Sequence, residues 1–139
     1  MALSTAEREA FLAEGHIGAL AVQEEAGRGP LVVPVWYDYS PGGEVSFLTG
    51  TDSRKARAVA KAGRFSMLAE RTHPTYRYVS VEGPVSSSNP TTEDELIRIA
   101  SRYLSEESAA DYLARSDLDA LVTFHMRPEH WLSSDLGAF

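Results

Sequence analysis

The sequence predicts a mainly β fold, a small barrel or sandwich with a few flanking helices. Three observations carry this. About six segments have strand patterning, turns rich in Gly and Pro separate them, and only three stretches hold a helical pattern. With 139 residues, the chain is long enough to bury a hydrophobic core, and it reads as one domain over 1–139.

The elements follow in order. Ser4-Thr5-Ala6-Glu7 fits a capping box that opens a helix, continued by Ala10, Phe11 and Glu14, and Gly15 can end it. A short apolar run, 16–23, is a first strand, and 24–30 is a charged, Gly-rich turn. Residues 31–39 are dense in β-branched and aromatic side chains, a second strand. Pro34 cannot donate to a sheet ladder, so this strand lies at an edge or carries a bulge. Pro41-Gly42-Gly43 is a turn, and 45–49 returns as a third strand, which makes the first half a β-meander. Asp52 or Ser53 caps a helix running to Ala62 and closed by Gly63, with Ala56, Val59 and Ala60 on its apolar face. Phe65, Met67 and Ala69 alternate along a fourth strand; Arg77, Val79, Val81 and Val85 alternate along a fifth. In the fifth, Gly83 marks a bulge or a close approach. Asn89-Pro90-Thr91-Thr92 leads into an acidic helical stretch, 93–114, split into two helices near Ser105. A sixth strand spans 120–126 and stops at Pro128, and Trp131-Leu132 is a last short strand.

Composition narrows the function. There is no Cys, so disulfides and thiolate metal sites are excluded. The four His are far apart, with no metal-ligand spacing, so no metal is expected. The amino terminus lacks a basic segment before an apolar core, and no apolar run is long enough to span a bilayer. A soluble cytoplasmic protein is the expectation. The net charge of −7 repels nucleic acid and anionic membranes, and neither is an expected partner. Yet 53–69 holds Arg54, Lys55, Arg57, Lys61 and Arg64 and no acidic residue, a local positive field suited to a small anionic ligand.

The most informative segment is Phe47-Leu48-Thr49-Gly50-Thr51-Asp52-Ser53-Arg54-Lys55. A helix amino terminus presents free N–H groups to phosphate, Thr49, Thr51 and Ser53 add hydroxyls, Arg54 offers a planar fork and Lys55 a point charge. Asp52 would oppose an anion and is read as an outward-facing cap. The alternative is a capped helix with a solvated basic face. In Val33-Pro34-Val35-Trp36-Tyr37, Pro34 leaves neighbouring backbone groups free for the polar edge of a flat ring. Trp36 and Tyr37 point to opposite sides, one to the core and one to a rim or interface. The alternative there is core packing. No nucleophile elbow and no paired His motif is present.

The order of PVWY, a strand ending in Thr49, Ser53-Arg54-Lys55 at a helix start and a strand reading RYVSVEG resembles the pyridoxamine 5'-phosphate oxidase-like split-barrel superfamily, most closely its flavin/deazaflavin oxidoreductase B group. The resemblance implies a six-stranded antiparallel split β-barrel of Greek-key type that forms a homodimer with two cofactor sites at the interface. It implies that Val33, Pro34, Val35 and Trp36 line the ring, and that Thr49, Ser53, Arg54 and Lys55 hold the phosphate with help from Arg57. Glu82 and Gly83 would sit near the site, with Arg77 upstream and Trp131 reaching a site from the partner. The implied activity is reduction of a small conjugated molecule by a flavin- or deazaflavin-dependent oxidoreductase; no catalytic side chain is assigned. The alternative is a non-catalytic flavin, deazaflavin or haem carrier of the same fold, with His125 or His130 as a haem ligand. The tail, 133–139, has no Arg or Lys, which argues against oxidation of pyridoxamine phosphate itself. FMN could be satisfied by 49–55 alone. Arg54, Arg57 and Lys61 share one helix face, with Arg64 beyond, and favour the longer anion of the deazaflavin coenzyme (F-420) over FMN.

Overall fold

A computed structural model describes residues 1–138; Phe139, the end of the tail read above, lies outside the described residues. Helix α1 spans Thr5–Leu12, and Ser4 caps it in the expected reciprocal capping box with Glu7. Strands β1 (Gly18–Val22) and β2 (Leu31–Val35) form a hairpin. Strand β3 is Val45–Gly50, and α2 (Arg54–Ala62) follows directly, connecting to β4 (Arg64–Arg71) and β5 (Arg77–Pro90). Helices α3 (Glu93–Ala100) and α4 (Glu106–Arg115) come next, capped by Thr92 and Ser105. A 3₁₀ turn at Leu118–Ala120 leads into β6 (Leu121–Met126) and β7 (His130–Asp135).

The strands pair in the order β2-β1-β4-β5-β6-β3, all antiparallel, and curl into a half-barrel with the helices at its flanks. A seventh strand, β7, also pairs with β5. The 14 residues of β5 serve two sheets: its first half lies between β4 and β7, and its second half pairs with β6 after a register shift between Val85 and Ser87. Strands β6 and β7 therefore run along β5 as one line broken by a jog at 127–129. The jog passes over Gly83, where an added Cβ would lie 1.8 Å from the Arg127 carbonyl oxygen. Gly83 is thus a close-approach point, and the bulge sits two residues later.

The meander does not form. Strand β3 pairs along its whole length with β6, and among the described residues its one bridge towards the β2 side is Asp38–Ser46. Six consecutive partners on β6 offer a complete ladder, whereas the outer edge of β2 contains Pro34, which has no N–H. Pro34 does lie on an edge strand, as its chemistry requires.

One face of the strands builds the core. Leu20, Phe47, Phe65, Met67, Val79 and Met126 are buried there, and Phe11 and Leu12 of α1 close one end. Helix α2 lies against the barrel through Ala56, Ala58 and Val59. Ala60, assigned to that face from spacing, is exposed. Alanines at 56, 58 and 60 carry little signal, so the packing partner and not the period chooses the face. Gly63 ends α2 at φ +71°, the left-handed closure its position predicts. Gly15 does not end α1 this way. Ala13 caps it in the right-handed region, and Gly15 is needed because a Cβ would come 2.7 Å from the Arg102 carbonyl oxygen.

Candidate functional site

The end of β2, the end of β3 and the first turn of α2 converge on a cavity of about 300 Å³. Pro34, Val35 and Trp36 form one wall, and Leu48, Thr49, Gly50 and Lys55 form the floor. Leu96, Ile99 and Ala100 of α3, with Tyr112 and Leu121, form the opposite wall. Two segments some fifteen residues apart in sequence are thus brought to one place by the sheet.

At the β2 end, Tyr37 is fully buried and its O–H donates to the Leu12 carbonyl at 2.6 Å, tying α1 to the barrel. Burial pushes its pKa up. Trp36 points the other way, half-buried, stacked on Tyr103 at 4.9 Å and tilted against Tyr112 at 5.8 Å. Tyr103 is fixed in turn: its hydroxyl accepts the Tyr37 N–H at 3.1 Å and donates to the His16 carbonyl at 2.8 Å. Among the described residues the outer side of β2 has no neighbouring strand, so part of its backbone faces no ladder partner.

At the α2 end, Ser53 is the N-cap; its side chain accepts the Ala56 N–H at 3.1 Å. Asp52, the other candidate cap, stays exposed. Thr49, nearly buried, shares a 3.0 Å hydrogen bond with the Ser53 hydroxyl. The backbone N–H groups of Arg54 and Lys55 belong to the first turn, where no intrahelical acceptor exists. Lys55 is half-buried at the cavity floor and makes no ion pair within 4 Å among the described residues. The site therefore has an apolar aromatic slot at one end and a cationic helix terminus at the other.

The other candidate residues lie elsewhere. Arg54 leaves the cavity: its guanidinium is clasped by Glu24, with Nη2–Oε1 at 2.6 Å and Nε–Oε2 at 2.7 Å. This mutual pairing lowers the Glu24 pKa and raises that of Arg54. Arg57 donates to the Asp52 carbonyl and, with Arg54, lines a separate groove. Val33 is partly buried at the core edge and lines an outer depression with Val32 and Leu68. Glu82 faces Arg64 at 3.9 Å, and Arg64 also meets Glu129 at 3.6 Å, so neither Glu82 nor Arg64 reaches the cavity. Arg77 pairs with Asp135 at 2.9 Å, and Trp131 lies under Arg8 beside Tyr39. His125 Nε2 is held 2.8 Å from Asn89 Oδ1 and 3.3 Å from Glu95, away from the cavity lining.

Tyr103, Tyr112 and the α3 wall were not among the residues singled out from sequence. Tyr103 and Tyr37 are 66 positions apart, and no local pattern announces such a contact. Among the described residues, no group of three or more His, Asp or Glu could hold a metal ion, and no helix is long and apolar enough to cross a membrane.

Comparison with known proteins agrees on one fold. The sequence model of the family described as pyridoxamine 5'-phosphate oxidase matches residues 4–131. No curated protein matches the chain. Among solved structures, an F420 reductase superposes with a TM-score of 0.74 at 24% identity, covering 89% of this chain and 94% of that one. A conserved hypothetical protein from Mycobacterium tuberculosis gives 0.76 at 24% identity, covering 96% and 85%. An FAD-binding protein from Mesorhizobium loti gives 0.68 at 21% identity, covering 96% and 94%.

Proposed function

Because the chain belongs to the pyridoxamine 5'-phosphate oxidase family, we propose that it is an oxidoreductase that uses a flavin or deazaflavin to reduce a small conjugated molecule. The observation that carries this is the cavity between β2 and the first turn of α2. Its size and apolar lining suit a flat ring, and Lys55 with the free N–H groups suits a phosphate. Two solved structures of the same fold are named for such cofactors, an F420 reductase and an FAD-binding protein.

The residues fit a flavin-type group in named roles. Trp36 and the backbone of Pro34 and Val35 would hold the ring, and Thr49, Ser53 and Lys55 the phosphate. The bound cofactor supplies hydride or electron transfer. The chain supplies position and exclusion of water, and Lys55 and Tyr112 are the ionisable side chains of the lining.

The proposal includes a homodimer with the site at its interface. The outward face of β2, β1, β4, β5 and β7 carries the row Pro34, Ala19, Leu68, Ser80 and Leu132, paired strand to strand. Val32 and Leu132 on this face are 59% and 65% exposed, an apolar sheet surface of the kind that a two-fold partner covers. Light scattering at micromolar concentration should give twice the chain mass, and a monomer with cofactor present would remove this part of the proposal.

The decisive test is a titration of FMN, FAD, the deazaflavin coenzyme and haem against wild type and Lys55→Ala. A charge-assisted phosphate contact contributes about 1.5–3 kcal/mol, so the substitution should weaken the bound cofactor about ten- to a hundredfold. The apo melting temperature should not move, since Lys55 has no ion pair within 4 Å among the described residues. Equal affinity for every cofactor would refute the phosphate assignment. Oxidation of the reduced cofactor by added acceptors then separates an enzyme from a carrier.

A further inference from the structure

We propose that Tyr103 is a positioning residue for the cavity: its hydroxyl is a wedge in the β1–β2 hairpin, standing where a ladder partner would be, and it turns Trp36 out of the sheet to face the ligand. The inference rests on the proposed cofactor reading only for what Trp36 meets there.

The register of the hairpin shows what the hydroxyl replaces. The last pair of β1 and β2 is Gly18–Val35. Pro34 has no N–H, so Ala19–Pro34 is a pair whose backbone polar groups face away from the hairpin. Bonded and non-bonded pairs alternate in an antiparallel ladder, which gives the bonds to Leu20–Val33 and Gly18–Val35. One period further, His16 and Tyr37 would be the next bonded pair. The strands part before that point, and β2 ends at Val35. The Tyr37 N–H donates instead to the Tyr103 hydroxyl at 3.1 Å, and that hydroxyl donates to the His16 carbonyl at 2.8 Å. One phenol oxygen thus stands between a donor and an acceptor that a continued hairpin would join directly.

The same side chain sets the indole. Trp36 lines the cavity, and Tyr103 stands behind it, stacked at 4.9 Å. Tyr103 is itself held in place. It lies in the turn that follows α3, and its N–H donates to the Ala100 carbonyl at 3.1 Å. The preceding residue, Arg102, donates to the Ala13 and Glu14 carbonyls at 3.1 and 2.7 Å. Arg102 also faces Asp38 at 3.6 Å. The turn after α3 is therefore fastened to the end of α1 on one side and to the chain beyond β2 on the other. Without the wedge, Tyr37 and His16 can pair directly, and Trp36 is drawn back towards the ladder. Ligand affinity then falls with the fraction of chains in which the indole still faces the cavity.

FMN with riboflavin, and the deazaflavin coenzyme with its phosphate-free form, serve as paired probes, titrated into wild type, Tyr103→Phe and Asp135→Asn. Tyr103→Phe keeps the stacked ring and removes the hydroxyl alone. Loss of one hydrogen bond corresponds to about a two- to tenfold effect, and Tyr103→Phe should weaken both members of the bound pair by the same factor within that range. The factor is shared because only the ring end of the cavity is disturbed. Asp135 lies outside the cavity lining, so Asp135→Asn should bind both as wild type does. Unchanged affinity in Tyr103→Phe, a loss confined to the phosphorylated member, or an equal loss in Asp135→Asn overturns the inference. Trp36 adds a readout that needs no ligand. In a Trp131→Phe background it is the sole indole, and its emission should shift on Tyr103→Phe; a fixed emission overturns the positioning role. Should Tyr103→Phe fail to fold, wild type still decides. The Tyr37 amide, beyond the end of β2, should exchange hydrogen as slowly as those of Val33 and Val35, and exchange at the rate of the 24–30 loop overturns the wedge. Failure of every probe to bind wild type would overturn the cofactor reading, and emission and exchange would then decide the wedge by themselves. Normal binding that Tyr103→Phe leaves untouched would overturn the wedge alone.

Discussion

Gly83→Ala tests how the half-barrel turns its corner. The added methyl would lie 1.8 Å from the Arg127 carbonyl oxygen, 2.9 Å from the carbon of that carbonyl and 3.3 Å from the Glu129 nitrogen. All three are backbone atoms, so no side chain can swing aside. An ordinary carbon–oxygen contact is about 3.3 Å or longer, so the jog between β6 and β7 must retreat by about 1.5 Å. Two hydrogen bonds hold that jog against β5, Arg127 N–H to the Pro84 carbonyl at 3.0 Å and Glu129 N–H to the Glu82 carbonyl at 2.9 Å. Loss of both, with the strain of overpacking, amounts to about 2–6 kcal/mol. A domain of this size has only about 5–15 kcal/mol of stability, so Gly83→Ala should lower the melting temperature by about 6–20 °C. Calorimetry or urea unfolding followed by circular dichroism reads the effect. Gly29→Ala is the control: nothing lies within 4 Å of the added carbon and its φ is not positive, so its stability should stay within about 0.5 kcal/mol of wild type. Gly83→Ala behaving like that control would refute the close approach and the continuous β6–β7 line built on it.

Two further predictions concern the ties that hold the ends of the chain. Tyr37→Phe removes the 2.6 Å donor to the Leu12 carbonyl at the end of α1 and should cost about 1–2 kcal/mol of stability; a melting temperature equal to wild type would show that α1 is held by packing alone. Asp135 accepts from the Thr75 hydroxyl, the Gly137 N–H and Arg77, which together hold its pKa down at about 2, below the ordinary value of 3.8. A depressed pKa stabilises the fold above the unfolded value and loses that contribution as pH falls towards 2. Asp135→Asn should therefore be less stable than wild type at pH 6, and the difference should close between pH 4 and 2 in urea midpoints. Parallel pH profiles would contradict the assignment.

Legibility in the sequence followed the range of the interaction. Both ends of α2 could be read, because a Ser cap and a left-handed Gly act within one turn. The capping box of α1 is equally local, and so is that of α3, which the reading passed over. Pro34 announced an edge strand or a bulge because it lacks a donor, a property no tertiary context can restore, and the sheet order resolves this to the edge. The pairing of β3 was not legible: the complete ladder that β6 offers, in place of the Pro34-bearing edge of β2, belongs to a partner more than seventy residues downstream. Strand β7 is longer than its two apolar residues suggested, because its ladder is made by backbone and the sequence His-Trp-Leu-Ser-Ser-Asp hides the alternation. The cavity divides the same way. Trp36, Thr49 and Lys55 stood out by residue type at the end of an element, whereas the tyrosines that fix Trp36 and the carboxylate that takes Arg54 are long-range partners.

Helix α2 shows why a count of cations near a helix start is a poor guide to what they bind. Its nine residues serve three surroundings. Ala56, Ala58 and Val59 face the barrel, Lys55 enters the cavity, and Arg54, Arg57 and Lys61 face the groove. Successive residues turn by about 100° on a helix, and Lys55 lines the cavity while Arg54 lines the groove. The sequence places both at the same helix terminus, where one phosphate suits both. Rotation about the axis separates them, and Glu24 then settles the state of Arg54. One short helix thereby presents one cation to the cavity and, around its first turn, a second positive surface. Under the proposed function, Lys55→Ala should weaken every phosphorylated ligand of the cavity, while Arg57→Ala and Lys61→Ala should leave a ligand that ends in one phosphate unchanged in the same titration.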